Sequence, residues 1–283
     1  MASKLTKSAR IPHMQPLNVP HDVEVLLRQL NQDFMGWDDP PNRLKRALKR
    51  DELALYAQPI LTLREAQGFP MAEVLVRLQD DDAVFLPPGG FLPLFEHFRL
   101  LPQLDRWVVR QSVAQLARLP RVPCLCVNIS SQTLGDQEFV PELAAELARS
   151  KVSPGALVIE ISEQDLLERP NDVAAFFASM RGIGCQLAIS GFGRRSVSLD
   201  SLTTLRPDFV KIDGGIVRSL GVGQSSRKKL GAVVSMAKVS GFAVIGEGVE
   251  TNETLADLRE AGVDYAQGFG IQVPAPISLI IDH

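Results

Sequence analysis

Cysteine, tyrosine and tryptophan are scarce in this chain. Its 283 residues include 3 cysteines, 2 tyrosines and 2 tryptophans. The cysteines, at positions 124, 126 and 185, are odd in number and lie in apolar runs. This pattern excludes a disulfide framework and predicts buried thiols in the reducing environment of the cytoplasm. Cys124 and Cys126 are spaced as C-x-C, whereas zinc and redox sites use C-x-x-C, so core packing is the simpler interpretation.

Long apolar segments are also missing. No run approaches the roughly 18 apolar residues that a membrane-spanning helix requires. Lys4, Lys7 and Arg10 make the N-terminus basic, but no apolar segment follows them as it would in a signal peptide. We therefore expect a cytoplasmic protein that does not insert into a membrane.

Neither sign of charge dominates the composition. The chain has 30 basic and 33 acidic residues and a net charge of -3. Proteins that bind duplex nucleic acid usually carry an excess of basic charge, so this balance argues against such a partner. The hydrophobic content of 45% is sufficient to fill a sizeable core.

Three regions follow one another along the chain. Residues 1–20 contain three prolines and no periodicity, so we predict a disordered tail. Residues 21–51 are predicted to be a helical N-terminal extension, with apolar residues at helical spacing in 21–35 and a basic helix at 43–51. Residues 52–283 are predicted to form one barrel domain.

Apolar strand patterns alternate with helical patterns from residue 54 onward. Eight strands are predicted, at residues 54–63, 71–79, 122–129, 156–161, 185–189, 208–212, 242–246 and 263–267. Six helices are predicted between them, at residues 103–118, 137–149, 171–182, 198–204, 225–240 and 252–261. The first two strands are joined by a short turn, which indicates an antiparallel hairpin, and the later alternation indicates a parallel sheet.

An α/β fold of the TIM-like (β/α)8 barrel type, with an antiparallel first strand, fits this number of strands. An open doubly wound sheet is the alternative. The G-x-G-x-x-G turn that often follows the first strand of such sheets is missing here, which weakens that alternative.

Polar residues are concentrated at the predicted strand ends, where β/α barrels carry their chemistry. They are Glu73, Asn128, Glu160, Glu163, Lys211, Asp213, Glu247, Glu250 and Gln267. Any one of them alone could cap a helix or bind a loop. Together, carboxylate and amide oxygens suit Mg²⁺ or Mn²⁺, and a nearby lysine suits an anionic substrate or an activated water.

These residues lie in motifs that resemble the EAL family, over roughly residues 46–278. The motifs, in the family's order, are Y-A-Q-P-I (56–60), A-E-V-L-V-R (72–77), F-L-P-L-F-E (91–96), L-D-R-W-V-V-R-Q (104–111), V-N-I-S (127–130), I-E-I-S-E (159–163), V-K-I-D (210–213), G-E-G-V-E-T (246–251) and Q-G-F-G (267–270). The second motif stands where the family has E-A-L-L-R, with Val74 in place of alanine.

Active members of the EAL family cut one phosphodiester bond of cyclic di-GMP with two divalent cations. The resemblance implies metal-ligand positions at Glu73, Asn128, Glu160 and Asp213. It implies that Asp213 and Glu247 belong to the metal and water cluster, and that Lys211 holds the attacking water or a phosphate oxygen. Glu163 and Glu250 would brace the neighbouring loops, and Gln267 would order the water shell. The positions that it implies for dinucleotide binding are Gln58, Glu73, Leu75, Arg77, Asn128, Glu247 and Gln267.

One motif departs from the family pattern. Residues 190–195 are S-G-F-G-R-R, where the family has D-D-F-G-T-G, so Ser190 and Gly191 replace two metal-binding aspartates. A two-metal mechanism needs anionic oxygens between the ions. We therefore expect no functional catalytic residue and regard Lys211 and Glu247 as vestigial. Lys211 is one candidate for a fixed cation that replaces the metal charge, and Arg194 or Arg195, on the same segment, is another. The alternative is that both arginines are solvated on the loop.

Three functions are consistent with these observations. The first is a catalytically inactive receptor and signalling regulator that binds cyclic di-GMP. The second is a protein-protein interaction module that no longer binds the nucleotide and has an unidentified protein partner. The third is a weak phosphodiesterase. No cofactor is required by the first two, and Mg²⁺ or Mn²⁺ would be needed only for residual activity. A homodimer is possible in each case.

Overall fold

In the part of the chain that the structure describes, the framework is one β-sheet of ten strands. The computed structural model describes residues 37–50, 52–64, 68–79, 84–118, 124–195 and 199–281. The strands are β1 (Leu53–Thr62), β2 (Met71–Gln79), β3 (Phe85–Leu86), β4 (Cys124–Asn128), β5 (Leu157–Ser162), β6 (Gln186–Phe192), β7 (Phe209–Ile212), β8 (Ala243–Gly246), β9 (Tyr265–Ala266) and β10 (Ala275–Pro276). All eight predicted strands are present, and the two-residue strands β3 and β10 are additional.

Strand β1 closes the sheet into a barrel. It pairs antiparallel with β2, where Gln58 lies opposite Glu73, and antiparallel with β9, where Leu61 lies opposite Ala266. From β2 through β4 to β9, the consecutive barrel strands pair in parallel. The predicted closed barrel with an antiparallel first strand is confirmed. The open doubly wound sheet is wrong, because β1 bonds to both ends of the parallel array.

Helices connect the strands and cover the outside of the barrel. They are α1 (Pro40–Lys49), α2 (Pro88–His97), α3 (Leu101–Arg118), α4 (Phe139–Ser150), α5 (Glu163–Glu168), α6 (Pro170–Ile183), α7 (Leu199–Leu205), α8 (Gly214–Arg218), α9 (Gln224–Ser240), α10 (Asn252–Ala261) and α11 (Ile277–Ile281). The six helices predicted between the strands are all present. Among the described helices, none is long and apolar enough to cross a bilayer.

Helix α2 was not predicted from the sequence. It begins at Pro88, continues through two glycines and contains Pro93, a composition that favours a loop. Its apolar side chains Phe91, Leu94 and Phe95 are buried in the main core. Burial of these side chains therefore outweighs the poor helix propensity of the segment.

Helix α1 packs against α2 and α3. Leu44 and Ala47 are fully buried, and the Arg43 guanidinium forms an ion pair with Glu52 and donates a hydrogen bond of 3.0 Å to the carbonyl oxygen of Gln79. This helix corresponds to the basic helix predicted at 43–51. The predicted tail at 1–20 and the helical pattern at 21–35 lie outside the described residues, and the division of the chain at residues 20 and 51 stays a prediction.

Strand β6 ends in an irregularity that is important for the site. Ser190 lies opposite Ser162 of β5, and the register between β6 and β7 shifts between Ile189 and Phe192. Gly191, within this bulge, has a φ of +63°. A positive φ is sterically favourable for glycine, and bulges often redirect side chains near functional sites.

Candidate functional site

A ring of polar side chains lies at the mouth of the barrel. The barrel interior is filled by a layer of mainly apolar residues, comprising Ile60, Met71, Cys126, Val158, Ala188, Phe209 and Ile245, with Tyr265 packed against them. Side chains two residues apart on a strand point to the same face. One step toward the mouth from this layer therefore gives one residue per barrel strand. We call these eight residues the mouth ring: Gln58, Glu73, Asn128, Glu160, Ser190, Lys211, Glu247 and Gln267.

Lys211 is the centre of the mouth ring. Its Nζ atom lies 2.7 Å from Glu73 Oε2, 3.0 Å from Glu160 Oε1 and 2.9 Å from Glu247 Oε1, and its side chain is 0% exposed. A buried ammonium is tolerated only when its charge is compensated. The three carboxylates supply that compensation, and Lys211 in turn limits their mutual repulsion.

The pKa values of Lys211, Glu160 and Glu73 reflect this arrangement. Burial acts to lower the pKa of Lys211, but the three carboxylates outweigh it and hold that pKa well above its ordinary value. Burial, with the charges of Glu73 and Glu247, raises the pKa of Glu160 to about 8. Burial also acts to raise the pKa of Glu73, yet Lys211 and hydrogen bonds from Asn128 and Gln267 bring it below its ordinary value. Glu73 is therefore the most readily ionised carboxylate of the cluster, whereas burial and the neighbouring carboxylates make Glu160 a weaker acid than an ordinary glutamate.

Amide side chains extend this network across the mouth. Asn128 Nδ2 donates to Glu73 Oε1 at 2.9 Å, and Gln267 Nε2 donates to Glu73 Oε2 at 2.8 Å and to Gln58 Oε1 at 3.0 Å. Gln58 Nε2 then donates to the carbonyl oxygen of Gln272. Glu73 accepts hydrogen bonds from three mouth-ring residues, and this fixes the orientation of its carboxylate.

The cluster has the donor chemistry for one hard cation. Ligand oxygens of Glu73, Glu160 and Glu247 lie within 4.8 Å of one another, and Mg²⁺ and Mn²⁺ prefer such oxygens. A second ion fits less well, because the end of β6 offers only the hydroxyl of Ser190 and the backbone of Gly191. A pair of ions about 4 Å apart requires bridging anionic oxygens at such a position.

Arg194 occupies the neighbourhood of the fourth carboxylate. Its Nε atom lies 2.5 Å from Asp213 Oδ2, while Asp213 Oδ1 accepts a hydrogen bond from the backbone of Gly215 at the start of α8. The Asp213 side chain is 10% exposed and that of Arg194 is 70% exposed. Of the two arginines, Arg194 is thus the one that reaches Asp213, one of the carboxylates at the predicted metal-ligand positions. The side chain of Arg195 points to Glu168 of α5, at 3.9 Å.

Glu163 holds the segment that carries these arginines. Its carboxylate accepts hydrogen bonds from the backbone amides of Gly193 and Arg195, both at 3.0 Å. Glu163 begins α5, directly after Ser162 caps that helix by accepting from the Asp165 amide. This loop-bracing contact is the one that the motif resemblance implied for Glu163. For Glu250, the nearest ion-pair partner is Arg218, at 4.0 Å.

Two clefts open beside the mouth ring. The larger, about 620 Å³, is lined by Leu75 and Asn128 together with residues of α2, α3 and α5. The smaller, about 190 Å³, is lined by four mouth-ring residues and by Arg218 and Phe269; the four are Gln58, Glu73, Glu247 and Gln267. Six of the seven residues predicted to bind a ligand therefore line one of the two clefts.

Arg77 is the exception. Beyond Glu73, strands β1 and β2 continue as a ribbon above the barrel, and Arg77 lies there opposite Ala54. Its guanidinium lies over the ring of Tyr56, 5.0 Å from the ring centre, and donates to the carbonyl oxygen of Val76. It lies on the same face of the ribbon as Glu73 and Leu75 but is not among the lining residues of either cleft.

Asp105 is a site-supporting residue that the sequence analysis did not single out. It is buried on α3 and its Oδ2 atom accepts from the Ser130 amide, the Ser130 hydroxyl and the Thr133 hydroxyl at 2.6–2.9 Å. These bonds hold the loop that follows Asn128. The signal in the sequence was an aspartate beside Leu104 on an otherwise apolar helix face.

Comparison with known proteins agrees with this geometry. The family model for the EAL domain matches residues 41–274. The chain belongs to the EAL domain family. Among solved EAL structures, the FimX EAL domain from Pseudomonas aeruginosa bound to c-di-GMP is 30% identical, with a TM-score of 0.79 over 84% of this chain and 97% of that one.

Curated relatives of this EAL domain are longer proteins. Cyclic di-GMP phosphodiesterase RocR of Pseudomonas aeruginosa is 30% identical over 84% of this chain and 61% of its own length. Cyclic di-GMP phosphodiesterase PdeB of Shewanella oneidensis is 29% identical over 83% of this chain and 28% of its own length. The chain thus spans between about a quarter and two thirds of these relatives.

Proposed function

We propose that this EAL domain is a receptor and regulator that binds cyclic di-GMP without hydrolysing it. The observation that carries the proposal is the combination at the mouth of β6 and β7. Ser190 and Gly191 provide no carboxylate, and Asp213 is engaged by Arg194. The groups that would stabilise a second ion are therefore lacking or occupied. Apart from Ser190, the mouth ring consists of charged or amide side chains.

Ligand binding is supported by the two clefts and by the relatives. The mouth ring supplies fixed amides and Lys211, and Leu75 provides an apolar wall in the larger cleft. Preorganised polar groups within a mostly formed pocket are typical of small-molecule sites. The FimX EAL domain, which has the same fold at 30% identity, is described as bound to c-di-GMP.

Calorimetric titration with cyclic di-GMP, with and without Mg²⁺, tests the proposal. We expect binding that is insensitive to Mg²⁺, together with no linear dinucleotide after prolonged incubation in Mg²⁺ or Mn²⁺. Arg77→Ala should weaken binding by about 1–3 kcal/mol, because a charged donor on the same face of β2 as Glu73 and Leu75 is lost. Turnover at the rate of an active relative would overturn the proposal.

Weak metal-dependent hydrolysis is the second candidate. The observation in its favour is the retained cluster of Glu73, Glu160 and Glu247, which offers the oxygens for one cation. Slow turnover that requires Mn²⁺ and disappears in Glu73→Ala would establish it. Failure to bind cyclic di-GMP at high micromolar concentration would instead favour the protein-protein interaction module.

A further inference from the structure

Helix α1 carries a row of basic side chains that belongs neither to the core nor to the mouth ring. Four cations occur in two adjacent pairs, at positions 45, 46, 49 and 50, and the last of these is the residue at which the helix ends. On a helix with 3.6 residues per turn, these positions fall within an arc of about 140°. We call Lys45, Arg46, Lys49 and Arg50 the basic stripe. The sequence of α1 contains no acidic residue.

The basic stripe faces solvent. Its four residues are exposed, whereas Leu44 and Ala47 of the same helix are fully buried. Arg46 Nε lies 3.5 Å from Glu52 Oε1, but the other three cations have no ion-pair partner among the described residues. Like charges four residues apart on a helix repel one another. An external anionic surface would relieve that repulsion.

Charge is distributed unequally along the chain. Residues 1–50 hold nine basic and five acidic residues, whereas residues 51–283 hold 21 basic and 28 acidic ones. The small net charge of -3 therefore conceals a basic part of the sequence, which includes α1, joined to an acidic barrel. An anionic surface repels the barrel and attracts the stripe, so the charge asymmetry orients the molecule with α1 toward such a surface.

An exposed aromatic ring lies beside the stripe. Glu52, the partner of Arg46, accepts a 2.8 Å hydrogen bond at its carbonyl oxygen from the Gln79 amide. Gln79 in turn lies opposite Phe85 in the pairing of β2 with β3. The ring of Phe85 packs edge-on against Tyr56, with 6.0 Å between the ring centres, and remains 41% exposed. Aromatic side chains next to cations are typical of surfaces that contact the headgroup region of a bilayer.

We propose that the basic stripe and Phe85 form a docking surface for the anionic headgroups of a phospholipid bilayer. A planar surface touches only this end of the molecule, whereas a flexible polyanion such as a nucleic acid would also meet the acidic barrel. No residue of α1 lines either cleft, so the mouth stays open when α1 is docked. The contact is adsorption at the headgroups, and the proposal is independent of cyclic di-GMP.

The expected binding is weak and reversible. Each basic residue close to an anionic membrane raises partitioning about fivefold, so Lys45, Lys49 and Arg50 together contribute about 100-fold. Arg46 contributes less because Glu52 already pairs with it. Salt screens such charges over about 10 Å at 0.1 M. Adsorption should therefore be clear at low ionic strength and decrease steeply as salt is added.

Co-sedimentation of the full chain with vesicles tests the proposal. The vesicles are phosphatidylcholine alone or phosphatidylcholine with about 30% phosphatidylglycerol, whose anionic surface attracts basic residues. Wild-type protein should bind the anionic vesicles and not the neutral ones. Combined Lys45→Gln, Lys49→Gln and Arg50→Gln substitution should weaken binding about 100-fold. Phe85→Ser should weaken it about fivefold, because one partly exposed ring no longer enters the interface.

The matched control removes the same charge from the opposite part of the sequence. Lys228→Gln, Lys238→Gln and Arg259→Gln combined alter exposed residues of α9 and α10 and should leave vesicle binding within about twofold of the wild type. Thermal melting of every variant verifies the fold. Equal loss in the control and the stripe variant, or equal binding to both kinds of vesicle, would overturn the proposal. Binding to a single-stranded oligonucleotide or to polyglutamate without binding to anionic vesicles would overturn it as well.

Discussion

Arg194 forms an ion pair with Asp213, 2.5 Å from Nε to Oδ2, across the segment that lost the two aspartates of the family motif. A tethered guanidinium here neutralises a nearly buried carboxylate. The geometry therefore supports the hypothesis that a fixed cation partly replaces mobile metal charge.

Arg194→Ala should lower the melting temperature in metal-free buffer by about 2–4 °C. The pair is worth no more than about 1 kcal/mol because Arg194 is largely exposed, and that free energy corresponds to a shift of this size in a domain of this length. Addition of Mg²⁺ should recover part of the loss. Arg195→Ala is the control, because the backbone amide that binds Glu163 survives the substitution. Equal melting temperatures for both variants and the wild type would contradict the hypothesis that Arg194 replaces metal charge.

Lys211→Met should destabilise the protein by about 3–5 kcal/mol, since it leaves three carboxylates facing one another without the buried cation. Urea denaturation measures the free energy of unfolding. Lys238→Met, an exposed lysine on α9, controls for the loss of a charge and should change stability by less than about 0.5 kcal/mol. A Lys211 variant as stable as the control would show that the cluster is not held by this residue.

Ser190→Asp combined with Gly191→Asp and Arg194→Ala should introduce hydrolysis of cyclic di-GMP in Mg²⁺ or Mn²⁺. No atom lies within 4 Å of a Cβ built at Gly191, and aspartate tolerates a positive φ better than most residues. Chromatographic detection of the linear dinucleotide measures the outcome. The two single aspartate variants serve as controls and should remain inactive. A folded, ligand-binding triple variant without turnover would locate the defect elsewhere in the mouth.

Asp105 should make the stability of the protein depend on pH. Burial raises its pKa to about 6, against hydrogen bonds from Thr133 and Ser130 that act to lower it. Between its unfolded pKa near 4 and this value the folded state binds more protons. The contribution of Asp105 therefore falls as pH rises through that window, by up to about 3 kcal/mol.

Asp105→Asn removes this titration. The difference in unfolding free energy between wild type and variant should favour the variant progressively more as pH rises from about 4 to 6 and level off above it. Denaturant unfolding at a series of pH values measures it. A difference that stays constant over this range would show that Asp105 does not titrate there.

The sequence alone determined the barrel and most members of its mouth ring. Strand and helix periods are local properties, so all eight strands and the six intervening helices were predictable. Six of the eight mouth-ring residues were recognised as polar positions at predicted strand ends, such as Glu73 on β2 and Glu160 on β5. Gln58 and Ser190 were singled out only through the resemblance to the EAL motifs. Helix α2 was missed because its propensity is local whereas its stability comes from burial of Phe91 and Phe95.

Only the tertiary structure decided which of these groups touch. Lys211 and Glu73 are 138 residues apart in sequence yet share a hydrogen bond, and that contact depends on closure of the barrel by β1. Likewise, Arg194 rather than Arg195 pairs with Asp213 because Glu163 binds the backbone amides of Gly193 and Arg195 and so fixes the segment that carries both arginines. Arg218 was recognised as a residue of the smaller cleft only from the tertiary structure, because Gly214 and Gly248 leave space for its guanidinium. A glycine gives no such signal in the sequence until its neighbours are placed.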